Sequence, residues 1–257
     1  MTVFTCPYCK EDLKEVNGYL KCLNCDLTFP IVKNIPDFLQ KNPEPERKKM
    51  IKAIDRLSTI YETPLWYPLI YHFYGGFFIP SIKETVNSIT DMLEIDGGIA
   101  LDVACGTGLY TRSIAQRAKE VYGIDFSMEM LKKAQEYAKK ENLDNIIFAR
   151  AEVEHLPFKN KFFDGISCYG ALHLFPDVTE ALGEMNRVLK KDHKLAVMTF
   201  VKKRFLGIKR IYEHLNKDHH FHVFDVDELK VYLENTGYSD FKYNIYGSMI
   251  LFEAKKI

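Results

Sequence analysis

The stretch Ile99-Ala100-Leu101-Asp102-Val103-Ala104-Cys105-Gly106-Thr107-Gly108 combines an apolar strand with a glycine turn. Residues 99–103 have the composition of a buried strand, and a helical pattern opens behind Gly108. Glycines at this point let the backbone approach a ligand closely and place the N–H groups of the helix against it. Nineteen residues after Gly106, at the end of the next predicted strand, lies Asp125, a side chain able to accept hydrogen bonds from ribose hydroxyls. Loop, helix and acid together predict a nucleotide-type site.

Strands and helices alternate regularly from Gly97 onward. The predicted strands cover residues 99–103, 121–124, 146–149, 163–169, 195–201, 241–245 and 249–254. The predicted helices cover residues 47–60, 111–119, 128–141, 178–189 and 226–235, with another that ends near Leu93. This alternation is typical of a parallel, doubly wound α/β sheet. The last two strands have no helix between them, which predicts an antiparallel hairpin at the sheet edge.

The loop departs from the fingerprint of dinucleotide-binding enzymes, because Thr111 occupies the position of their third glycine. Residues 102–108 resemble instead the first motif of class I methyltransferases. The later motifs of that family follow in order at residues 123–131, 151–158, 162–173 and 184–189. The similarity extends over residues 75–255 and is closest to the branch containing the ubiquinone and menaquinone biosynthesis methyltransferases. It implies S-adenosylmethionine as the cofactor and a Rossmann-like, seven-stranded methyltransferase sheet with an antiparallel C-terminal hairpin.

The same resemblance implies which residues surround the cofactor. The family more often has Asp at the position of Glu152, so this chain departs from the pattern there. The loop with Asp102, Gly106 and Gly108 is expected to face the methionine end of the cofactor, and Tyr169 to border the methionine tail. Asp125 is expected to bind the ribose. The residues expected around the adenine are Phe126, Met128, Glu152 and Val153.

Two features are candidates for the acceptor side of the site. His173 follows the predicted strand 163–169, which places it over the transferred methyl group, where it is either a general base or a polar part of the wall. The segment 61–78 is rich in Tyr and Phe and holds Trp66. It is either a helical core stripe or a lid that excludes water and shapes an apolar pocket.

Four of the six cysteines cluster near the N-terminus as Cys6, Cys9, Cys22 and Cys25. Two Cys-x-x-Cys pairs around a predicted hairpin supply the four thiolates of a closed tetrahedral zinc site, which leaves no position for catalysis. The sequence therefore predicts a structural Zn²⁺ in a small zinc ribbon. The predicted organisation is a ribbon at 1–40, a linker and helical lid segment at 41–95, and the S-adenosylmethionine-binding domain at 96–257.

Charge bears on the class of partner. The 35 Lys and Arg balance the 35 Asp and Glu, whereas proteins that bind nucleic acid usually carry a basic excess. A zinc module also precedes a similar domain in some ribosomal RNA methyltransferases, and residues 190–210 form a basic segment expected near the substrate mouth. Nearby His219, His220 and His222 form either a pocket cap or a transient metal site. RNA therefore remains the alternative acceptor.

We expect a cytoplasmic enzyme, because no apolar run reaches the length of a transmembrane helix and Cys6 and Cys9 stand where a signal peptide needs apolar residues. The predicted function is S-adenosylmethionine-dependent methyl transfer to a small, partly apolar molecule. The alternatives are an RNA methyltransferase and a non-catalytic cofactor-binding partner protein. Acceptor atom and oligomeric state leave no signal in the sequence.

Overall fold

A computed structural model describes residues 3–39, 62–63, 81–202 and 222–257. The predicted linker, the predicted helix at 47–60 and the aromatic segment apart from Glu62 and Thr63 lie outside the described residues. So do His219, His220 and the part of the basic segment beyond Lys202. Among the described residues, no helix is long and apolar enough to cross a membrane.

The main unit is a seven-stranded sheet in the order β10-β11-β9-β8-β5-β6-β7. Five neighbouring strands are parallel, and β11 runs antiparallel to both β9 and β10. The predicted seven-stranded sheet with its antiparallel hairpin is thereby confirmed. Its strands are β5 (Ile99–Val103), β6 (Glu120–Asp125), β7 (Ile146–Arg150), β8 (Phe163–Tyr169), β9 (Leu189–Phe200), β10 (Tyr238–Tyr246) and β11 (Met249–Lys256).

All the described helices except the one that begins at Leu109 follow a Ser or Asp side chain suited to cap them. Ser81 forms a capping box with Glu84, and the Ser127 side chain accepts a hydrogen bond from the backbone of Met130. These caps satisfy N–H groups that the first turn of a helix leaves without partners. The helices are α1 (Ile82–Leu93), α2 (Leu109–Ala115), α3 (Met128–Lys140), α4 (Val178–Val188) and α5 (Val226–Asn235), with 3-10 turns at Val153–His155 and Leu172–Leu174.

Several boundaries differ from the sequence-based prediction: α2 ends at Ala115 rather than at residue 119, and β10 begins at Tyr238 rather than at residue 241. Two further differences have a clear local cause. Helix α2 begins at Leu109, two residues before the predicted start, because Gly108 takes a φ of 81° and serves as its N-cap. Strand β9 begins at Leu189 rather than at residue 195. Residues 190–194 are polar and carry no strand pattern. Leu189 nevertheless pairs with Phe163 of β8, and a bulge then shifts the register.

The chain changes direction across the sheet at β5. Strands β6 and β7 add on one side of β5, whereas β8 and β9 add on the other. At such a switch point the loops that leave neighbouring strands diverge and open a crevice at the carboxyl ends of the strands. The loops after β5, β6 and β8 therefore border one site.

Residues 3–39 form a second, smaller sheet, which we call the N-terminal unit. Its strands are β1 (Leu13–Val16), β2 (Tyr19–Cys22), β3 (Thr28–Val32) and β4 (Ile35–Pro36), in the order β1-β2-β3-β4. The predicted hairpin at residues 16–19 is present. Asn17 and Gly18 have φ values of 51° and 80°, as a two-residue hairpin turn with left-handed residues requires.

The N-terminal unit packs directly on the edge of the main sheet. The ring of Phe4 lies 5.5 Å from that of Phe158 and 6.1 Å from that of Tyr122, and Phe4 is buried. The backbone N–H of Phe38 donates to the carbonyl of Arg150 in β7 at 2.8 Å. The unit thus shares a core with the main sheet and covers its edge strand, which would otherwise offer unpaired backbone groups.

Candidate cofactor site

A cavity of about 280 Å³ lies at the carboxyl ends of β5, β6 and β8. That volume is close to the lower limit of about 300 Å³ for small-molecule pockets. Its charged lining residues are the three acids Asp125, Glu152 and Glu154. The other lining residues are apolar or glycine: Val103, Ala104, Gly106, Ile124, Phe126, Met130, Ala151, Val153, Tyr169, Gly170, Ala171, Leu174, Phe175 and Pro176.

The glycine loop has the backbone that its sequence predicts. Gly106 and Gly108 have φ values of 56° and 81°, in the left-handed region that favours glycine. A Cβ added to Gly106 would meet no atom within 4 Å, so this residue faces open space at the cavity. A Cβ on Gly108 would lie 3.1 Å from the Cβ of Ala134 in α3. Gly106 is thus open toward a ligand, whereas Gly108 is required by packing.

The Asp125 carboxylate organises the loop from the end of β6. Its Oδ2 accepts a hydrogen bond from the backbone N–H of Gly106 at 2.8 Å, and its Oδ1 accepts one from Ser127 at 2.8 Å. Each carboxylate oxygen has a second lone pair and can accept a further hydrogen bond. Asp125 lines the cavity, so it combines support of the loop with capacity for ribose hydroxyls.

Asp102 is almost completely buried behind the loop, with 1% of its surface exposed. It accepts hydrogen bonds from Ser167 and Thr111, each at 2.6 Å. Burial, with a smaller contribution from the charge of Asp125, raises the pKa of Asp102 to about 6. Thr111, the residue that departs from the dinucleotide fingerprint, is therefore a partner of Asp102. Asp102 supports the loop and lines the small pocket beside Gly106, but not the main cavity.

The predicted adenine contacts are only partly assembled around the cavity. Phe126, Glu152 and Val153 line it, but Met128 does not. Met128 packs instead with a cluster on the far side of the loop, and Met130, two residues later, occupies the cavity wall. The side chains at these positions alternate around the first turn of α3, which a linear motif does not resolve.

Tyr169 stands at the end of β8 with its ring stacked on Tyr110, the centroids 3.6 Å apart. It lines both the main cavity and a small pocket beside Asp102, Gly106 and Thr107. Tyr169 therefore lies at the boundary of the two spaces.

His173 does not line the cavity and is only 4% exposed. Its ring lies 4.6 Å from that of Phe200, and its Nδ1 is 3.5 Å from the Thr199 hydroxyl. Burial, followed by the charge of His222, lowers the pKa of His173 to about 3. Because the imidazole of His173 is neutral and enclosed, the polar structural role predicted for it fits better than the role of a general base that must reach an acceptor.

Comparison with known proteins assigns the family. A methyltransferase-domain family matches residues 101–197. The demethylmenaquinone methyltransferase of Staphylococcus haemolyticus is 32% identical over 177 residues, which cover 59% of this chain and 73% of that protein. The chain belongs to the class I S-adenosylmethionine-dependent methyltransferases.

Other relatives extend this assignment. An uncharacterised chloroplast methyltransferase of Arabidopsis thaliana is 28% identical over 286 residues, covering 99% of this methyltransferase and 78% of the plant protein. That match therefore includes the N-terminal unit. The crystal structure of the YcgJ protein of Bacillus subtilis has the same fold, with a TM-score of 0.59 and 20% identity over 68% of this chain and 98% of that one. Some matches are shorter: the chain spans 46% of YcgJ and 65% of the Geobacillus demethylmenaquinone methyltransferase in sequence.

The four N-terminal cysteines of the methyltransferase come together in the folded chain. Their Sγ atoms all lie within 4.8 Å of one another, and Cys6 and Cys22 are buried. The Sγ of Cys25 is 3.0, 3.5 and 3.7 Å from those of Cys9, Cys22 and Cys6, respectively, and the Cys9 and Cys22 sulfurs are 3.5 Å apart. Cys105 and Cys168 are buried in the main unit, apart from this cluster.

The described basic residues of segment 190–210 do not form a patch at the cavity, contrary to the expectation from the sequence. Lys194 pairs in register with Gly165, which pairs with Ala100 at the start of β5, so it lies toward the end of the sheet opposite the glycine loop. Lys190 and Lys194 lie away from the cavity because β9 begins six residues earlier than its apolar pattern indicates, and the segment beyond Lys202 lies outside the described residues. Three of the four described lysines are also paired with acids: Lys190 with Asp164, Lys194 with Glu94 and Glu253, and Lys202 with Asp225.

Two arginines near the site carry no signal in the local sequence. Arg112 is 5% exposed, binds Glu62 through Nη2 at 2.7 Å and donates to the carbonyl of Thr107 at 2.9 Å. The Thr107 hydroxyl also donates to Glu62. Arg150 donates from Nε to the carbonyl of Phe126 at 2.9 Å. Their partners are distant in sequence, so only the folded chain of the methyltransferase reveals them.

Proposed function

We propose that this methyltransferase transfers a methyl group from S-adenosylmethionine to a small, partly apolar acceptor. The observation that carries the proposal is the cavity lining. Among the described lining residues the charged ones are all acidic, and the rest are apolar or glycine. An RNA acceptor favours Lys and Arg near the site, since phosphate contacts dominate its affinity. The demethylmenaquinone methyltransferases among the relatives are named for a small acceptor.

The proposed cofactor contacts follow the position of each residue around the cavity. Asp125 binds the ribose hydroxyls, and Phe126, Met130, Glu152 and Val153 surround the adenine. Met130 takes the place that the sequence predicts for Met128. The loop with Gly106 and Gly108, supported by Asp102, faces the methionine end beside Tyr169. S-adenosylmethionine supplies an activated sulfonium methyl group, so the residues mainly align the acceptor and exclude water.

The proposal includes one structural Zn²⁺ in a zinc ribbon formed by the N-terminal unit. A tetrahedral zinc with bonds of about 2.3 Å requires sulfur–sulfur distances of about 3.8 Å. Four of the six sulfur–sulfur distances are 3.0–3.7 Å and all six are within 4.8 Å, which supports four thiolates on one ion. Four protein ligands fill the coordination shell, so the metal has a structural role.

Labelled methyl transfer tests the acceptor class. Purified protein is incubated with radiolabelled S-adenosylmethionine and, separately, with small phenols, quinols, thiols and total RNA. We expect label in one of the small-molecule extracts, and substitution of Asp125 by Ala should lower it at least about tenfold at limiting cofactor. Incorporation into RNA alone would overturn the small-molecule proposal and restore the RNA alternative.

A further inference from the structure

One guanidinium group connects the N-terminal unit with the wall of the cofactor cavity. Arg150, the last residue of β7, binds the Asp37 carboxylate with Nη1 to Oδ2 at 3.1 Å. Its Nε donates to the carbonyl of Phe126, and the guanidinium lies 5.9 Å from the centre of the Phe126 ring. The side chains of Arg150 and Asp37 are mostly buried, with 22% and 15% exposed. Phe126 itself lines the cavity.

The backbone holds Asp37 in place for this contact. The N–H of Phe38 donates to the carbonyl of Arg150 at 2.8 Å, and the N–H of Leu39 donates to Asp37 Oδ1 at 3.1 Å. The Asp37 carboxylate therefore faces the guanidinium in a fixed orientation. A charge-assisted pair in such a partly buried place is stronger than a surface pair.

The first Cys-x-x-Cys turn contacts residues 155–157, which follow a second part of the cavity wall. The N–H of Thr5 donates to the carbonyl of Pro157 at 2.9 Å. Lys10 binds Glu184 of α4 at 3.0 Å, and Glu184 in turn accepts a hydrogen bond from the N–H of Leu156 at 2.9 Å. The ring of Tyr8, which lies between the two cysteines, is 5.5 Å from that of His155. The contacted segment follows directly on Glu152 and Val153, both of which line the cavity.

The cysteine cluster determines where these contact residues lie. Thr5, Tyr8 and Lys10 flank or separate Cys6 and Cys9, and Asp37 follows the two-residue strand β4. A unit of fewer than about 40 residues with strands this short normally requires a metal or disulfide staple to fold. A metal ion on the cysteines would therefore hold both contacts with the cavity wall.

We propose that the N-terminal unit is part of the cofactor site: Asp37 and Lys10 are positioning residues, and metal binding to the cysteine cluster raises the affinity of the cavity for the cofactor. This inference rests on the cofactor and zinc roles proposed above. Because coupling between two binding sites is reciprocal, cofactor in the cavity also tightens metal binding by the same factor. Coupled sites typically change each other's affinity by about 5- to 150-fold.

Calorimetric titration with S-adenosylhomocysteine, the unreactive product, tests the Asp37 contact in the full-length zinc-bound protein. Asp37→Asn should raise the dissociation constant at least about fivefold, while the zinc content stays at the wild-type value. Asp37→Glu, which keeps the charge, should recover part of the affinity. The matched control is Asp12→Asn, because Asp12 also joins the N-terminal unit to the main unit, through Lys159 at 2.7 Å, but both side chains of this pair are more than half exposed, whereas Arg150 contacts the lining residue Phe126. Its dissociation constant should stay within about twofold of the wild-type value.

A competition experiment tests the metal directly. Zinc is withdrawn from the wild-type protein by a chromogenic chelator of known affinity, with and without saturating S-adenosylhomocysteine. We expect the product to raise the apparent zinc affinity by a certain factor. Calorimetry should give the same factor as the ratio of the S-adenosylhomocysteine dissociation constants of zinc-stripped and zinc-loaded protein. Equal affinity in the presence and absence of the product would overturn the coupling.

The results separate this inference from the proposals beneath it. If the wild-type protein binds no S-adenosylhomocysteine, the proposed cofactor site fails and the inference with it. If it binds the product but contains no zinc, the metal coupling is overturned. If it binds both and Asp37→Asn lowers only the melting temperature, with affinity unchanged, the N-terminal unit is merely structural and the inference alone is wrong.

Discussion

At the scale of single residues, Asp125 connects the glycine loop with the proposed ribose contact. We expect Asp125→Ala to weaken S-adenosylmethionine binding by at least about tenfold, because a hydrogen bond to a charged group contributes about 1.5–3 kcal/mol. The variant also loses the acceptor for Gly106, which lies 2.8 Å from Asp125 Oδ2. Calorimetry measures the affinity.

Asp91→Ala is the matched control for this change. Asp91 lies on α1, where it forms an exposed ion pair with Arg117, and it does not line the cavity. Its removal should alter affinity less than about twofold, since exposed pairs contribute little. Equal affinities of the Asp125 variant and the wild-type protein would refute the ribose role, and tight NAD binding by the wild type would overturn the assignment of S-adenosylmethionine as the cofactor.

His173 makes folding stability depend on pH. Its pKa falls from an ordinary value near 6.5 to about 3 in the folded protein. The unfolded chain therefore binds a proton more readily, and the stability from this group is present above the unfolded pKa and is lost as pH falls toward 3. Between pH 8 and pH 5 the loss amounts to about 2 kcal/mol.

Replacement of His173 by Gln removes this contribution. In urea unfolding at pH 8 and pH 5, the variant should lose about 2 kcal/mol less stability than the wild type on acidification. Other titrating groups act alike in both proteins and cancel. Parallel pH dependence of the two proteins would mean that His173 is accessible to water, and the general-base interpretation would regain weight.

At the scale of secondary-structure elements, two glycines respond oppositely to the same change. Gly108→Ala places a side chain at a φ of 81° and its Cβ 3.1 Å from Ala134, so we expect a loss of about 1–3 kcal/mol. Gly183 lies inside α4 with open space around its Cβ position, and Gly183→Ala should stabilise the protein by about 0.5–1 kcal/mol. Denaturant unfolding without cofactor measures both. A neutral Gly108 variant would show that the start of α2 tolerates rearrangement.

The strands of the N-terminal unit are short, so its stability is expected to depend on the metal that joins the four cysteine side chains. Elemental analysis should find about one zinc per chain, and Cys22→Ser should reduce it severalfold because the remaining three thiolates bind more weakly. Cys168→Ser is the control, because Cys168 is buried in the main core. A zinc-free wild-type protein, purified without chelator, would reject the metal site.

At the scale of the whole molecule, the two sheets share one core. Phe4 of the N-terminal unit packs against Phe158 and Tyr122 of the main unit. Phe4→Ala should therefore cost about 3–5 kcal/mol and shift a single transition, rather than melting the small sheet alone. Circular dichroism and zinc release, followed in the same urea series, should give coincident midpoints.

Val16→Ala provides the comparison, since Val16 belongs to the same small sheet but is 47% exposed. Its effect should stay within about 0.5 kcal/mol. Zinc release well before the loss of circular dichroism in the wild type would mean that the N-terminal unit unfolds independently. That result would favour the separate domain at residues 1–40 that the sequence predicts.

Local patterns in the sequence were sufficient for the main sheet and for the family. The alternation of strands and helices, the glycine loop and the acid nineteen residues after Gly106 predict a parallel α/β sheet with an antiparallel terminal hairpin and the place of the site. These features depend on neighbours within one element or one connection, which a linear pattern records. The pairing of four cysteines is equally visible, because two short turns bring them together.

Contacts between distant parts of the chain were decided only by the tertiary structure. Arg150 and Asp37 are 113 residues apart, and nothing near either one indicates the other. The apolar pattern did not show that Lys194 lies level with the start of β5, or that Met130 rather than Met128 reaches the cavity. Register and side-chain direction follow from the packing of whole elements, because a shift of one residue in a strand, or of two in a helix, moves a side chain to the opposite face. The sequence by itself therefore determined the fold and the class of reaction, whereas tertiary packing joined the N-terminal unit to the wall of the cofactor cavity.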